Sequence, residues 1–419
     1  MEIAKTPPMG WNSWDCYGAS VTEEEVRKNA EYMARYLKEY GWEYVVVDIQ
    51  WFEPTADSNE YHNGAKLVMD EYSRLLPAEN RFPSAANGAG FKPLGDFIHS
   101  LGLKFGIHIL RGIPKQAVVE NTKIYGSTAT AREIADTAST CSWNGDMYGV
   151  DSYRPGAQEY YDSIISLYAQ WGVDYLKVDD ISRPYHKGEV ELIRRAIDKS
   201  GREIVLSLSP GNTPVTEAKH VCAHANMWRM SDDFWDQWKP LREMFDLCRD
   251  WFPYVGDGHW PDADMLPLGK IGIRSAGGAR MTDFTRDEQK TMMSLWTIFR
   301  SPLMFGGDLT MNDGWTLELL QNKEILRVLN HSHAGREVLR RGNEIIWAAN
   351  DDNGTDFYLA QFNVGEGEET ICTPLSYLGI EYECKVQDLW ENTISCAEGE
   401  VVSTIAPHGV AYYRVSPAK

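Results

Sequence analysis

Two acidic side chains, Asp179 and Asp233, stand where a pair of catalytic carboxylates could be expected. Each follows a short apolar run that is typical of a β-strand, so each carboxylate would lie at the C-terminal end of its strand. The two runs are about fifty residues apart, which corresponds to one or two strand–helix units of a parallel α/β protein. Two carboxylates converging on one pocket can cleave a glycosidic bond, because one attacks or stabilises the sugar cation while the other moves a proton.

Basic residues accompany both carboxylates. Lys177 precedes Asp179 by two positions, so the period of a strand places both side chains on the same face. We expect Lys177 to point into the pocket and to hold Asp179 ionised. Arg229 precedes Asp233 by four positions and could likewise interact with the Asp233 carboxylate.

The composition narrows the class of protein. The 419 residues favour two domains, and 43% hydrophobic with 12% aromatic residues is typical of a globular protein. The net charge of −20 argues against nucleic acid and anionic membranes as partners. No apolar run is long enough to span a membrane, and the first residues resemble no leader peptide. The seven cysteines form no CxxC pair, so we expect reduced thiols and a cytoplasmic protein. The sequence leaves the oligomeric state open.

The elements that would position these residues alternate between short strands and helices. Helix starts are marked by the capping boxes Thr22 to Glu25 and Thr285 to Glu288, and helical apolar spacing covers 156–172, 187–200 and 239–252. Eight strands are predicted at 9–14, 44–49, 104–110, 175–179, 204–209, 227–230, 260–265 and 302–306. This α/β pattern predicts a (β/α)8 TIM barrel over residues 1–332.

The pattern changes after residue 332. Short β-type runs at 344–349, 357–362, 381–388 and 410–415 are separated by turn sequences, and no helical period recurs. We therefore predict that residues 333–419 form a C-terminal antiparallel β-sandwich of about eight strands.

With the strands placed, five motifs occur in order. They are Thr6-Pro-Pro-Met-Gly-Trp-Asn-Ser-Trp14-Asp, Asp48-x-x-Trp51, Tyr175-Leu-Lys-Val-Asp179, Trp228-Arg-x-x-x-Asp233 and Trp260-Pro-Asp-Ala-Asp264-Met-Leu. In these motifs the chain resembles glycoside hydrolase family 27, the α-galactosidase and α-N-acetylgalactosaminidase family. The resemblance implies a retaining exo-glycosidase that needs no metal or other cofactor. Its partner would be the terminal sugar of an oligosaccharide or glycoconjugate, in the galacto configuration.

The resemblance also assigns roles to individual residues. Asp179 matches the family nucleophile and Asp233 the acid/base. The residues that match sugar-contacting positions are Trp14, Asp48, Lys177 and Arg229.

Three positions depart from the α-galactosidase pattern. Ile49 stands where α-galactosidases typically have an Asp that binds the 4-hydroxyl, and Ser209 stands where they carry a Glu that contacts the 2-hydroxyl. His108 replaces a Tyr, and we expect it to contact the sugar. Cys141 aligns with a cysteine that many members bridge to the position occupied here by Ile181, so we expect that disulfide to be missing.

Several interpretations remain open at this stage. Because Ile49 removes a carboxylate from the sugar's polar edge, β-L-arabinopyranosides, which lack the hydroxymethyl arm, are expected to be preferred over α-D-galactosides and then α-N-acetylgalactosaminides. A sugar-binding protein that has lost catalysis is a second class, disfavoured because both carboxylates are present. A metal-dependent barrel enzyme using Asp48, His108 and Asp179 is a third, disfavoured because Lys177 would compete with a metal.

Overall fold

The computed structural model describes residues 3–418, so Met1 and Glu2, part of the segment inspected for a leader peptide, and Lys419 lie outside it. Eight buried strands form one parallel sheet in the order β7-β6-β5-β4-β3-β2-β1-β8. They are β1 Met9–Asn12, β2 Tyr44–Val47, β3 Lys104–Leu110, β4 Tyr175–Asp179, β5 Val205–Leu208, β6 Met227–Arg229, β7 Trp260–Asp262 and β8 Leu303–Phe305. A parallel bridge between Leu266 and Phe305 joins the two edges. The predicted barrel is therefore confirmed, with each strand at its predicted place.

Helices follow the strands and cover the outside of the barrel. They are α1 Glu23–Tyr36, α2 Lys92–Ser100, α3 Ala157–Trp171, α4 Lys187–Ser200, α5 Ala218–His224, α6 Trp238–Trp251, α7 Arg286–Phe299, α8 Gly314–Leu320 and α9 Lys323–Asn330. Both predicted capping boxes are present, at the starts of α1 and α7. Within residues 3–418, no helix has both the length and the apolar character needed to cross a membrane.

Long loops at the C-terminal ends of the strands build a rim above the barrel. A small antiparallel sheet of Ile113–Pro114, Ala135–Thr140 and Met147–Val150 follows β3, and Lys270–Ile271 pairs with Arg280–Met281 after β7. All seven cysteines are free thiols, and Ile181 is buried in the core. Residue 181 offers no thiol, so Cys141 cannot form a bridge to this position.

The C-terminal domain is an antiparallel β-structure, as predicted. Six strands form one sheet in the order β9-β10-β11-β16-β13-β14, and β12 pairs with β15. Their bounds are β9 Ser332–Arg341, β10 Glu344–Asp351, β11 Phe357–Asn363, β12 Glu369–Pro374, β13 Cys384–Asp388, β14 Ile394–Ala397, β15 Glu400–Ile405 and β16 Val410–Pro417. Alternate side chains of the two sheets pack together in a separate apolar cluster that includes Ile346, Leu359, Ile371 and Val401.

The barrel and the β-domain share one continuous core. Helix α9 ends at Asn330 and β9 begins at Ser332, so almost no linker separates them. Phe245 of α6 and Phe362 of β11 pack edge to face with ring centroids 4.9 Å apart, and both are fully buried. Burying large apolar side chains from both domains against each other couples their stabilities.

We predict that Phe362→Ala destabilises the whole chain in a single step. The substitution leaves a cavity between the domains and should lower the free energy of unfolding by about 3–5 kcal/mol. Calorimetry should show one transition, shifted to lower temperature, rather than a separate early transition of the β-domain. Tyr377→Ala, at a 43% exposed position of the same domain, is the control and should leave the transition in place. Two separated transitions in the variant would contradict the shared core.

Candidate active site

A cavity of about 590 Å³ opens at the C-terminal ends of the barrel strands. This is the face where barrel enzymes carry their functional groups, because the βα-loops converge there. Seven of the nine residues singled out from the sequence line it: Trp14, Asp48, Ile49, Lys177, Asp179, Arg229 and Asp233. The other two, His108 and Ser209, are fully buried behind the wall and do not line the cavity.

Asp179, the last residue of β4, is held by hydrogen bonds to both carboxylate oxygens. Nε2 of His108 lies 2.7 Å from Oδ2, and Oγ of Ser209 donates to Oδ1 at 2.6 Å. Burial alone would raise the pKa of the Asp179 carboxyl, but the charges of His108 and Lys177 hold this pKa below its ordinary value. The carboxylate is therefore ionised and fixed in orientation. The sequence predicted the place of Asp179 but gave no indication of these two bonds.

Lys177 binds a different carboxylate from the one expected. Its Nζ donates to Oδ2 of Asp48 at 2.8 Å, and Asn12 donates to the same oxygen. Lys177 affects Asp179 only through its charge, since the short contact to that carboxylate comes from His108. Burial raises the pKa of Asp48, but the charges of Lys177 and His108 together with the hydrogen bonds from Lys177 and the Ile49 amide outweigh this effect, so the pKa lies far below its ordinary value. The interpretation that Lys177 keeps Asp179 ionised therefore needs this correction: the direct ion pair is with Asp48.

Asp233 lies beyond the end of β6, and its side chain is 56% exposed toward the cavity opening. Nη2 of Arg229 is 3.3 Å from its Oδ1. The same guanidinium lies 2.8 Å from Oδ2 of Asp264, an oxygen that also accepts a bond from the Phe234 amide. Arg229 therefore joins one exposed and one buried carboxylate.

Two further acids in the cavity were missed as functional residues. Asp264 lies in the Trp260 motif but received no role, and Asp15 follows the motif's Trp14 directly. Burial, with the charges of Asp233 and Asp262, raises the pKa of Asp264 to about 7 despite the opposing effect of Arg229. Burial and the neighbouring Asp264 raise the pKa of Asp15 well above its ordinary value. Their position after a strand was the available signal, since Asp179 was found by the same criterion.

The opposite wall of the cavity is apolar. The Ile49 side chain is 1% exposed and clusters with Leu110 and Met147. Above it, the rings of Trp14 and Tyr61 stack at 6.3 Å, and Tyr61 contacts Trp143. Tyr61 and Trp143 come from long loops without any periodic pattern, so sequence reasoning could not place them. An apolar, aromatic wall facing a charged wall suits a sugar, which has both C–H faces and hydroxyl edges.

The residues proposed for the metal-dependent alternative do not form an open ligand set. The Lys177 ammonium lies against Oδ2 of Asp48, and Nε2 of His108 lies against Oδ2 of Asp179. The Lys177 ammonium already neutralises Asp48, a carboxylate that a metal would need as a ligand. The arrangement instead supplies an ordered ionised carboxylate, a more exposed carboxylate beside an arginine, and hydrogen-bonding groups between them.

An eight-stranded parallel barrel that presents acidic and aromatic side chains in one cavity at this face is the architecture of a barrel glycoside hydrolase. Comparison with known families makes this specific. The family model described as α-galactosidase A matches residues 146–331, and the model of the α-galactosidase C-terminal β-sandwich domain matches residues 341–415.

Individual relatives cover the whole chain. A β-L-arabinopyranosidase of glycoside hydrolase family 27 from Geobacillus stearothermophilus superimposes with a TM-score of 0.98 at 57% identity, over 99% of this chain and 97% of that one. A protein from Bacillus halodurans, provisionally described as an α-N-acetylgalactosaminidase, gives 0.91 at 53% identity, over 100% and 99%. Alpha-galactosidase 2 of Arabidopsis thaliana is 27% identical over 100% of this chain and 91% of the plant protein. The chain belongs to glycoside hydrolase family 27, a family of enzymes that act on glycosides.

The raised pKa of Asp264 predicts a pH dependence of stability. In the unfolded chain this carboxyl titrates near its ordinary value of about 4, and in the folded protein near 7. Between these values the folded state holds the extra proton, so the Asp264 contribution falls as the pH rises from 4 through 7. We therefore expect the free energy of unfolding to fall less between pH 5 and pH 8 in Asp264→Asn than in the wild type.

Urea unfolding at each pH measures this difference. Asp198→Asn, at a carboxylate whose side chain is 67% exposed on α4, is the control and should follow the wild-type curve. Parallel pH dependences of wild type and Asp264→Asn would mean that Asp264 is ionised throughout the range.

Proposed function

We propose that the protein is a retaining exo-glycosidase that releases terminal β-L-arabinopyranosyl residues from oligosaccharides or glycoconjugates. Asp179 attacks the anomeric carbon while Asp233 protonates the leaving oxygen, which gives a covalent glycosyl-enzyme. Asp233 then removes a proton from water, and this water releases the sugar and frees Asp179.

The surroundings of the two carboxylates support this division of roles. A nucleophile must be ionised and aimed, and Asp179 is buried with a lowered pKa and a bond to each oxygen. An acid/base must exchange protons with the leaving group and with water, and Asp233 is the more exposed of the two. The Arg229 guanidinium beside it restrains its orientation without burying it.

Ile49 carries the proposed sugar preference. Asp48 and its partner Lys177 offer polar groups to one part of the sugar, but the next residue puts a branched hydrocarbon into an apolar cluster at the cavity wall. A galactoside would bury its hydroxymethyl arm or 4-hydroxyl against this wall without a charged acceptor, at a cost of about 1–3 kcal/mol. An arabinopyranoside has a bare C5 that can pack there.

The relatives agree with this ranking in part. The 57% identical enzyme is a β-L-arabinopyranosidase, and a variant of it was crystallised in complex with arabinose. An ordinary α-galactosidase is the second candidate, since the Arabidopsis thaliana relative has that activity. An α-N-acetylgalactosaminidase ranks third, because its substrate is also a hexose whose hydroxymethyl arm would meet Ile49. We also propose a cytoplasmic location, which the seven free thiols favour.

The first experiment separates the two carboxylates. Asp179→Ala should abolish turnover of every aryl glycoside, because no other group forms the covalent intermediate. Asp233→Ala should retain turnover of dinitrophenyl glycosides, whose leaving group needs no proton, and added azide should accelerate it by replacing the missing base. Steady-state rates with both substrates measure this, with glycosyl azide as the expected product. Equal responses of the two variants to the activated substrate and to azide would contradict the roles assigned here.

The second experiment tests the sugar preference. The wild type should show a higher kcat/KM for p-nitrophenyl β-L-arabinopyranoside than for the α-D-galactoside. Ile49→Asp should shift this ratio toward the galactoside by about 10–200-fold, because it restores a charged acceptor at the polar edge.

Ile49→Val is the matched control, since it shortens the side chain but keeps the wall apolar, and it should preserve the arabinoside preference. A wild type that prefers the galactoside, together with an unchanged ratio in Ile49→Asp, would remove the specificity proposal and leave the family membership standing.

A further inference from the structure

A second cluster of chemically active side chains lies outside the cavity, on the outer surface of the barrel where α4 and α5 pack together. His220 and His224 are one helical turn apart on α5, so their side chains lie on the same face. Glu191 faces them from the neighbouring helix α4. One ligand atom from each of the three lies within 4.8 Å of the other two.

The hydrogen bonds of the two histidines would let Nε2 of each ring act as a ligand. Nδ1 of His224 lies 2.7 Å from the carbonyl oxygen of His220. Because a carbonyl only accepts, this nitrogen carries the proton, and Nε2 of the neutral ring keeps its lone pair. Nδ1 of His220 lies 2.8 Å from the Tyr185 hydroxyl, and Nε2 contacts Oε1 of Glu191 at 3.3 Å. A bound ion would replace the proton on Nε2, and Nδ1 would then donate to the Tyr185 oxygen. Metal-binding histidines have this type of anchoring at the second nitrogen.

The packing of the rings favours neutral imidazoles. The rings of His220 and His224 stack with centroids 4.1 Å apart, so two positive charges would repel strongly. Only one carboxylate oxygen of Glu191 faces the rings, since Oε2 lies 3.4 Å from Arg195. Two neutral imidazoles and one carboxylate oxygen are a typical ligand set for zinc.

We propose that Glu191, His220 and His224 bind one divalent transition-metal ion of the zinc type. The ligands would be Nε2 of each histidine and Oε1 of Glu191, with water in the fourth tetrahedral position. Glu191 has a 41% exposed side chain, so it can move toward the ion, and solvent can supply the water. Tetrahedral binding needs ligand atoms about 3.3 Å apart, which a change in side-chain torsions can provide.

Such an ion would stabilise a segment that borders the cavity. Tyr185 belongs to the loop between β4 and α4, and Arg183 in the same loop lines the cavity and pairs with Asp232 at 2.6 Å. An ion fixing His220 would also fix Tyr185 through their hydrogen bond. The inferred role is structural, and it does not depend on the proposed sugar preference.

The test is a titration of the full-length protein with ZnCl₂ after treatment with EDTA. Calorimetry should give one equivalent of bound zinc with a dissociation constant in the micromolar range or tighter, and zinc should raise the melting temperature. Binding should weaken at acidic pH, because protons compete with the metal for the ligand nitrogens. A crystal soaked in ZnCl₂ should show an anomalous peak between the three side chains.

Four variants separate a built site from adventitious binding. His224→Gln and Glu191→Gln should each weaken zinc binding more than 10-fold. Tyr185→Phe keeps the ring but removes the outer hydrogen bond, and it should weaken binding by about 10–100-fold. His333→Ala, at an exposed histidine of the β-domain, should bind zinc as the wild type does. Unchanged binding in His224→Gln and Glu191→Gln, or an anomalous peak elsewhere, would overturn the proposal and leave an ordinary surface hydrogen-bond network.

Discussion

The balance of charge at the barrel mouth is the constraint on which the site depends. Seven aspartates line one cavity, and five of them are buried: Asp15, Asp48, Asp179, Asp180 and Asp264. Two buried cations, Lys177 and Arg229, oppose them. Buried carboxylates are tolerated only when they are paired, hydrogen-bonded or protonated. Lys177 neutralises Asp48, Arg229 joins Asp233 to Asp264, and the raised pKa of Asp15 favours its neutral form. The carboxylates of one pocket therefore differ in their protonation and in their ion pairs.

The strand patterns in the sequence were sufficient to predict the barrel and the positions of its acidic site residues. Most barrel strands are short apolar runs, and an acid that follows such a run lies at the C-terminal face, which is why Asp48, Asp179 and Asp233 could be placed. The partners of these acids could not be assigned, because strand period fixes the face of a side chain but not its neighbour across the barrel. Lys177 therefore pairs with Asp48, at the end of β2, and not with Asp179 on its own strand. His108 was expected to meet a sugar and instead lies fully buried against Asp179.

The sequence could not place functional residues that lie in loops or in clusters between helices. Tyr61 and Trp143 complete the aromatic wall, yet each lies in a loop whose course depends on tertiary contacts rather than on local pattern. The Glu191, His220 and His224 cluster joins two helices that no sequence period relates, so only the packing of α4 on α5 brings it together. Residues whose role depends on a neighbour in another element are found only once the elements are assembled.

The continuous core between barrel and β-domain also has an evolutionary consequence. A domain attached by a flexible linker can be exchanged between proteins by recombination, because few contacts cross the boundary. Here α6 and α7 present fully buried aromatic rings to β10 and β11, so the surfaces of the barrel and the β-domain are complementary. A foreign β-domain would meet a mismatched surface and leave cavities or clashes in the core. We therefore expect the barrel and the β-domain to be inherited as one unit, and substitutions on either side of this interface to co-vary.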